Sequence, residues 1–271
     1  MTFVRVLGRP YLRASGLRCI ATIVGNFFIL QWKLAFLGRV PVTNVDHRLD
    51  EKIPFIPGKV GIYIDFVAFW VRSLSFLLKN CGRRAMEPVK RFIESIGGLY
   101  IHAAGVYKKH LSTTTRPFYI GRPRFLLIHA LDPHLMCIPS LHVMVVIRGY
   151  TLFRQILKNL GEEERFAAQA EEQLRGALAI TEAVLYVKQH SVNCIPAALY
   201  AMTKYDPALF PPEEAEKFVS GIFSGSESPN KTDSEEIRQH ILSLYRRFMA
   251  EGENSIDWKE PLFTFLEEMP R

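Results

Sequence analysis

The chain has 271 residues, 48% of them apolar and 23% charged, the proportions of an ordinary folded protein, which excludes disordered, collagen-like and low-complexity classes. Lys and Arg number 34 against 27 Asp and Glu, a net charge of +7; that balance suits nucleic acid, an anionic membrane surface or a phosphorylated substrate without choosing among them. Four scattered cysteines (Cys19, Cys81, Cys137, Cys194) form no CxxC pair, which argues against a disulfide framework and against structural zinc.

Four arginines (Arg5, Arg9, Arg13, Arg18) precede an uncharged run from Cys19 to Trp32, and Leu34 to Leu37 extend it past Lys33. No small-x-small cleavage pattern follows, so the segment reads as an uncleaved membrane anchor with its N-terminus in the cytoplasm. A buried helix of a soluble protein is the alternative, and the mean hydropathy of +0.06 leaves both open. Five further apolar segments follow: Val60–Leu78, Phe92–Tyr107, Leu141–Leu157, Ala177–Val187 and Ser191–Met202. All but the last carry charge, including Asp65, Arg72, Glu94, Arg148, Arg154 and Glu182. A charge at the centre of a lone spanning helix costs about 2.5–3.5 kcal/mol, so each must face a bundle interior or water. Six weak segments predict six helices, in a membrane bundle or a soluble one.

After Tyr205 the composition changes. Pro207, Pro211 and Pro212 break the chain, Gly225–Asn230 reads as a linker, and Thr232 with Glu235 has capping-box spacing. Ile237, Ile241, Leu244, Tyr245 and Phe248 fall on one helical face. The expected organisation is a helical bundle over residues 1–205 and a soluble helical tail over 206–271. Asp46, Asp50 and Glu51 are interleaved with Arg48 and Lys52, which favours an exposed loop over a metal site. A basic stripe with interleaved aromatics is missing, so nucleic acid is not an expected partner.

Residues compatible with phosphate concentrate between Tyr107 and His142. Lys109 is followed by Arg116-Pro117, then Arg122 and Arg124, then Pro139-Ser140-Leu141-His142, where a loop feeds into a helix. Helix N-termini favour anions because free N–H groups and the positive dipole end point the same way. A phosphate there would meet a guanidinium fork, an ammonium, a hydroxyl and an imidazole. Lys188-Gln189-His190 forms a second cluster, and paired histidines can divide nucleophilic and acid roles.

Lys109-x6-Arg116-Pro117, then Pro139-Ser140-Leu141-His142, then His190 resembles the type 2 phosphatidic acid phosphatase superfamily. Its pattern is Lys-x6-Arg-Pro, Pro-Ser-Gly-His and Ser-Arg-x5-His-x3-Asp. Ile53–Pro57 and Tyr186–His190 are similar to bacterial membrane members, and the likeness covers about residues 40 to 205. It implies an all-α, six-helix transmembrane bundle with a short soluble helical tail. It also implies a metal-independent, cofactor-free phosphohydrolase acting on a lipid phosphate or an isoprenoid pyrophosphate. His190 would attack phosphorus to form a phosphohistidine, and His142 would protonate the leaving alkoxide. Lys109, Arg116 and Ser140 would hold the oxygens.

With the N-terminus inside, the Lys79–Arg91 loop is also inside and holds five basic residues against one acid, as the positive-inside rule requires. Both termini are then cytoplasmic, and all three motifs fall on the outer face. The third motif departs from the family: Ala183 and Val184 replace Ser-Arg, and Cys194 stands where the family has the Asp that fixes the nucleophilic imidazole. Leu141 replaces the Gly of the second motif. Lys188 or Arg122 would stand in for the missing arginine. Three further readings follow: a lipid phosphotransferase, a catalytically impaired member that binds lipid phosphate or a protein, and a soluble helical phosphatase of the same superfamily.

Overall fold

Helix accounts for 70% of the chain and strand for 3% in the computed structural model, which describes residues 6, 8–119, 121, 125, 132–225 and 228–269. The all-α expectation holds. Helix α1 (Pro10–Leu37) begins with proline at its first position, passes through a π-helical stretch at Val24–Ile29, and stops at Gly38. Gly38 has φ +57° and returns its N–H to the Leu34 carbonyl, the left-handed cap that glycine adopts without strain. Helix α2 (Pro57–Asn80) opens with two short turns before its main segment, Phe66–Asn80. Then come α3 (Met86–Tyr107), α4 (Leu141–Asn159), α5 (Ala167–Tyr186), α6 (Cys194–Tyr205), α7 (Pro212–Gly221), α8 (Lys231–Glu253) and α9 (Glu260–Glu268).

The helices bury themselves to very different degrees. Every residue of α6 from Cys194 to Thr203 is buried; α4 and α3 pack on it, and α8 packs alongside. By contrast α1 buries only Leu12, Ser15, Gly16 and Cys19 in its first half and Gln31 in its last turns. Its buried stripe lies against α3, where Gly97 lets the backbones approach: a Cβ there would sit 3.7 Å from the Cys19 Cα. Ser15 completes the seam by donating to Glu94 at 2.8 Å. The remainder of α1 exposes Leu17, Ile20, Phe28, Ile29, Trp32 and Phe36, the last 82% accessible, and α2 adds Ile62, Ile64 and Val67.

Of the six apolar segments, the helices carrying two of them, α1 and α2, are long and apolar enough to cross a membrane among the described residues. The last segment forms a helix of 12 residues, about 18 Å at 1.5 Å per residue. Much of its length is covered by the charged, amphipathic α8. The charges expected to be troublesome have partners. Arg148 donates to Asp206 and to Ser95, each at 2.6 Å; Asp65 accepts from Arg72 at 2.7 Å; Glu182 accepts from the Phe223 N–H at 2.7 Å.

The tail closes this core. Ile237, Ile241, Leu244, Tyr245 and Phe248 of α8 are buried as their spacing predicts. Gly252 lies so close to Tyr200 that a Cβ would overlap its hydroxyl, and Trp258 stacks on His102 at 3.9 Å. The expected Thr232 cap is displaced by two residues: Asn230 caps α8, its side chain accepting from the Asp233 N–H at 2.9 Å.

Two three-residue strands, β1 (Val42–Asn44) and β2 (Leu111–Thr113), pair in parallel with Val42 opposite Leu111. A bridge from Ser112 to Met136 extends the pairing, and the Ser112 hydroxyl accepts from the Ile138 N–H at 2.7 Å. This small clamp fixes the segment that delivers Ser140 and His142 to the start of α4.

Candidate active site

Ser140 is the N-cap residue of α4, yet its side chain caps no helical N–H. Its hydroxyl instead lies 3.2 Å from His190 Nε2. His142, in the first turn of α4, rests on the rings of Tyr63 and Phe66 at centroid distances of 4.6 and 4.3 Å. Its Nδ1 is 3.2 Å from the same His190 Nε2. Two histidines 48 residues apart in sequence therefore meet with a serine at a helix N-terminus.

His190 is delivered by the turn between α5 and α6. Lys188 takes a left-handed φ of +54°, and the N–H groups of Gln189 and His190 both return to the Val184 carbonyl, at 3.0 and 3.3 Å. Asp50 pins the other side of the turn, accepting from the Val192 N–H at 2.8 Å while also capping its own loop through His47 N–H. Asn193 adds a donor to the Val45 carbonyl at 3.1 Å and accepts at 2.8 Å from His240 of α8. Of the acids read as an exposed loop, Glu51 is exposed while Asp46 and Asp50 are half-buried structural supports: Asp46 accepts from the Thr115 N–H at 3.0 Å. Burial, joined by the charges of His142, His134 and Arg116, pushes the His190 imidazole well below its ordinary pKa, so the ring is neutral near pH 7. Its Nδ1 is buried without a hydrogen-bond partner. The Cys137 carbonyl sits near the ring and favours protonation slightly, outside hydrogen-bond geometry for Nδ1. Cys194 is fully buried at the start of α6.

The cationic groups are arranged differently from the expectation. Lys109 is not at the histidines: it follows the end of α3, with its ammonium 5.5 Å from the centre of the Phe263 ring of α9. Lys188 is also turned away, donating to the backbone carbonyls of Asp50 and Ile53; a half-buried ammonium needs acceptors, and this loop presents them. Arg116 comes close through an intermediary. It donates to Asp132 at 3.1 Å and contacts His134 Nδ1 at 2.7 Å, and the His134 and His190 rings are 6.5 Å apart. Arg122 and Arg124 lie outside the described residues.

His134, Asp132 and Gln31 were not singled out by sequence. Gln31 is the single buried residue in the last turns of α1 and donates to Asp132 at 2.8 Å. His134 has φ +61°, its backbone N–H donates to Asp132 at 2.8 Å, and its Nε2 lies 2.7 Å from the Thr114 hydroxyl. One available signal was a buried polar residue breaking an apolar run at Gln31. The partnership of Asp132 with Arg116 left no mark in local spacing.

Two cavities meet here. A polar one of about 10 Å³, lined by Gln31, Asp132, His134, His142 and His190, has room for about one water. An apolar groove of about 470 Å³ runs between α1 and α2 against α3, lined by residues such as Ile20, Phe27, Val67, Trp70 and Ile93, and ends at Asp132 and His142. Neither a family model, nor a curated protein, nor a solved structure matches the chain, so function has to be read from the site itself.

Proposed function

We propose that this chain is a membrane-attached phosphohydrolase that removes phosphate from a lipid phosphate or isoprenoid pyrophosphate, similar to the type 2 phosphatidic acid phosphatase superfamily. The observation that carries the reading is the His142–His190 pair with Ser140 at the N-terminus of α4, at the closed end of an apolar groove that opens between the two membrane-compatible helices. A hydrocarbon chain suits the groove, and the head group then falls at the histidines.

Membrane attachment runs through α1 and α2. Six spanning helices would require the 12-residue α6 to cross and α8 to lie against it at bilayer depth; two require neither. Tyr63 and Phe66, which hold His142, lie at the start of α2, opposite the basic Lys79–Arg91 turn at its end. The positive-inside rule puts that turn and both termini in the cytoplasm; two crossings leave everything after Asn80 on that side, so the outer-face site expected from the sequence needs a further crossing before Leu141.

In the reaction, the His190 Nε2 lone pair forms a bond to phosphorus as the bond to the lipid oxygen breaks; His142, whose pKa burial lowers to about 4, takes up the proton that the phosphate monoester monoanion brings and passes it to that oxygen. Water then attacks the phosphohistidine, His142 takes its proton, the P–N bond breaks, and phosphate leaves with His190 neutral again. With an alcohol in place of water the same steps give phosphotransfer. The attack requires the proton of His190 to sit on Nδ1, where it has no acceptor; an unsatisfied buried N–H costs about 1–3 kcal/mol. The opposite tautomer donates to Ser140 or His142 and blocks attack, the fault that an orienting carboxylate prevents.

That bare Nδ1 favours a second reading, an impaired member that binds phosphorylated lipid without turning it over. Phosphate release by the detergent-purified protein, on a panel of lipid phosphates and with His190→Ala as control, separates the two. Release lost in the variant is expected for the enzyme. Binding with no release from well-folded protein would assign the chain to the second class.

A further inference from the structure

The anion that Arg116 holds is the chain's own. Asp132 accepts from the Arg116 guanidinium at 3.1 Å, from the Gln31 amide at 2.8 Å and from the His134 backbone N–H at 2.8 Å. That is three donors on one carboxylate, the donor set a phosphate oxygen cluster would take. The carboxylate also stands on the wall shared by the two cavities: it lines the polar pocket with His142 and His190 and closes the end of the apolar groove. The polar pocket, at about 10 Å³, is too small for a phosphate group. Arg116 is incompletely satisfied in this state, its Nε buried with no partner.

We infer that Asp132 is a resident phosphate mimic, an autoinhibitory carboxylate that occupies the anion site and is displaced when the phosphate of a lipid enters from the groove. The inference rests on the phosphohydrolase reading and adds its regulation. A rotation of the Asp132 side chain opens the pocket to the groove and releases the guanidinium toward His190, with the charge of the incoming phosphate replacing that of the carboxylate. Gln31 ties this event to α1, the most lipid-accessible helix: its amide holds the Asp132 carboxylate while its carbonyl oxygen accepts from the Leu135 N–H at 3.3 Å. The seating of α1 therefore sets how firmly the mimic is held, which makes the site responsive to the membrane.

The test is binding of inorganic phosphate to the full chain in detergent, measured by calorimetry and by phosphorus NMR line width. Asp132→Asn keeps the volume and removes the competing charge, and should tighten phosphate by about tenfold or more. Gln31→Leu leaves the ion pair but loosens its anchor, and should tighten by about threefold. Arg116→Ala should abolish binding in either background. Circular dichroism and melting with and without phosphate establish that each variant is folded, and Gln31→Leu carries the test if Asp132→Asn is not. Equal affinity in wild type, Asp132→Asn and Gln31→Leu, with His190-dependent hydrolysis intact, would overturn the mimic and leave the hydrolase standing. Absence of both binding and hydrolysis in every variant would overturn the hydrolase reading and the mimic with it.

Discussion

Two arginine–aspartate pairs among the described residues are largely withdrawn from solvent, and they differ in what surrounds them. Arg148 and Asp206 join α4 to the end of α6, with side-chain exposures of 8% and 23%; Arg116 and Asp132 sit in the loop before α4 at 15% and 18%. Exposure does not separate them. Satisfaction does: the Arg148 Nε donates to Ser95 and its guanidinium lies over the Tyr205 ring, whereas the Arg116 Nε has no partner and the pair borders a cavity. An ion pair with no buried polar atom left unpaired is architecture. One left short of a partner, beside empty space and two histidines, is poised to exchange its anion.

The largest expected effect breaks the site side of this comparison. His190→Ala should lower phosphate release by on the order of 10³-fold or more, read as phosphate released per enzyme per minute, with the helical spectrum unchanged. Activity that survives would dismiss the histidine pair altogether. Next comes stability. Asp206→Ala strands a buried guanidinium and should cost about 3–5 kcal/mol, measured by urea unfolding. Asp132→Ala should cost no more than about 2 kcal/mol, since Arg116 keeps the Asp132 backbone carbonyl at 3.2 Å as an acceptor. Equal losses would erase the distinction between the two pairs.

A third prediction probes the missing carboxylate. Cys194→Asp should raise turnover by about tenfold, by giving the Nδ1 proton of His190 an acceptor, at some loss of stability from the new buried charge. No gain in an enzyme that already depends on His190 would mean that another group orients the ring. Filling the groove with Val67→Trp should lower kcat/KM by about tenfold for a long-chain lipid phosphate and leave a short-chain one unaffected. Equal losses on both would place the chain elsewhere.

The smallest effect is a pH slope. His134, His190 and His240 are held below the ordinary imidazole pKa, chiefly by burial. The unfolded chain binds protons near pH 6.5 that these folded sites refuse. Their contribution to stability is therefore complete above about pH 6.5 and falls away as the pH drops toward the folded values. His134→Gln should flatten the decline in urea midpoint between pH 6.5 and 4.5. An unchanged slope would mean that His134 already takes up its proton in the fold.

The helical segments and the amphipathic face of α8 were legible in the sequence, because helical periodicity is local; the His142–His190 partnership, between residues 48 apart, was expected only from the family resemblance. The His190 Nδ1 is buried without a partner, which no local pattern announced. The positions of the cations were not legible either. Lys109 has the motif spacing and Lys188 stands beside His190 in sequence, but an ammonium on a flexible stem goes to whatever acceptors the fold brings near. Those are the ring of Phe263 for one and the carbonyls of Asp50 and Ile53 for the other.

By itself, then, the sequence determined the helices and the apolar character of α1 and α2, since each follows from backbone propensity and local hydropathy. Only the tertiary structure decided that α8 covers α6, that Asp50 and Asn193 hold the His190 turn, and that Asp132 fills the grasp of Arg116. Those contacts join residues far apart in the chain. Which donor meets which acceptor is settled by the packing that removes them from water, and no local pattern encodes it.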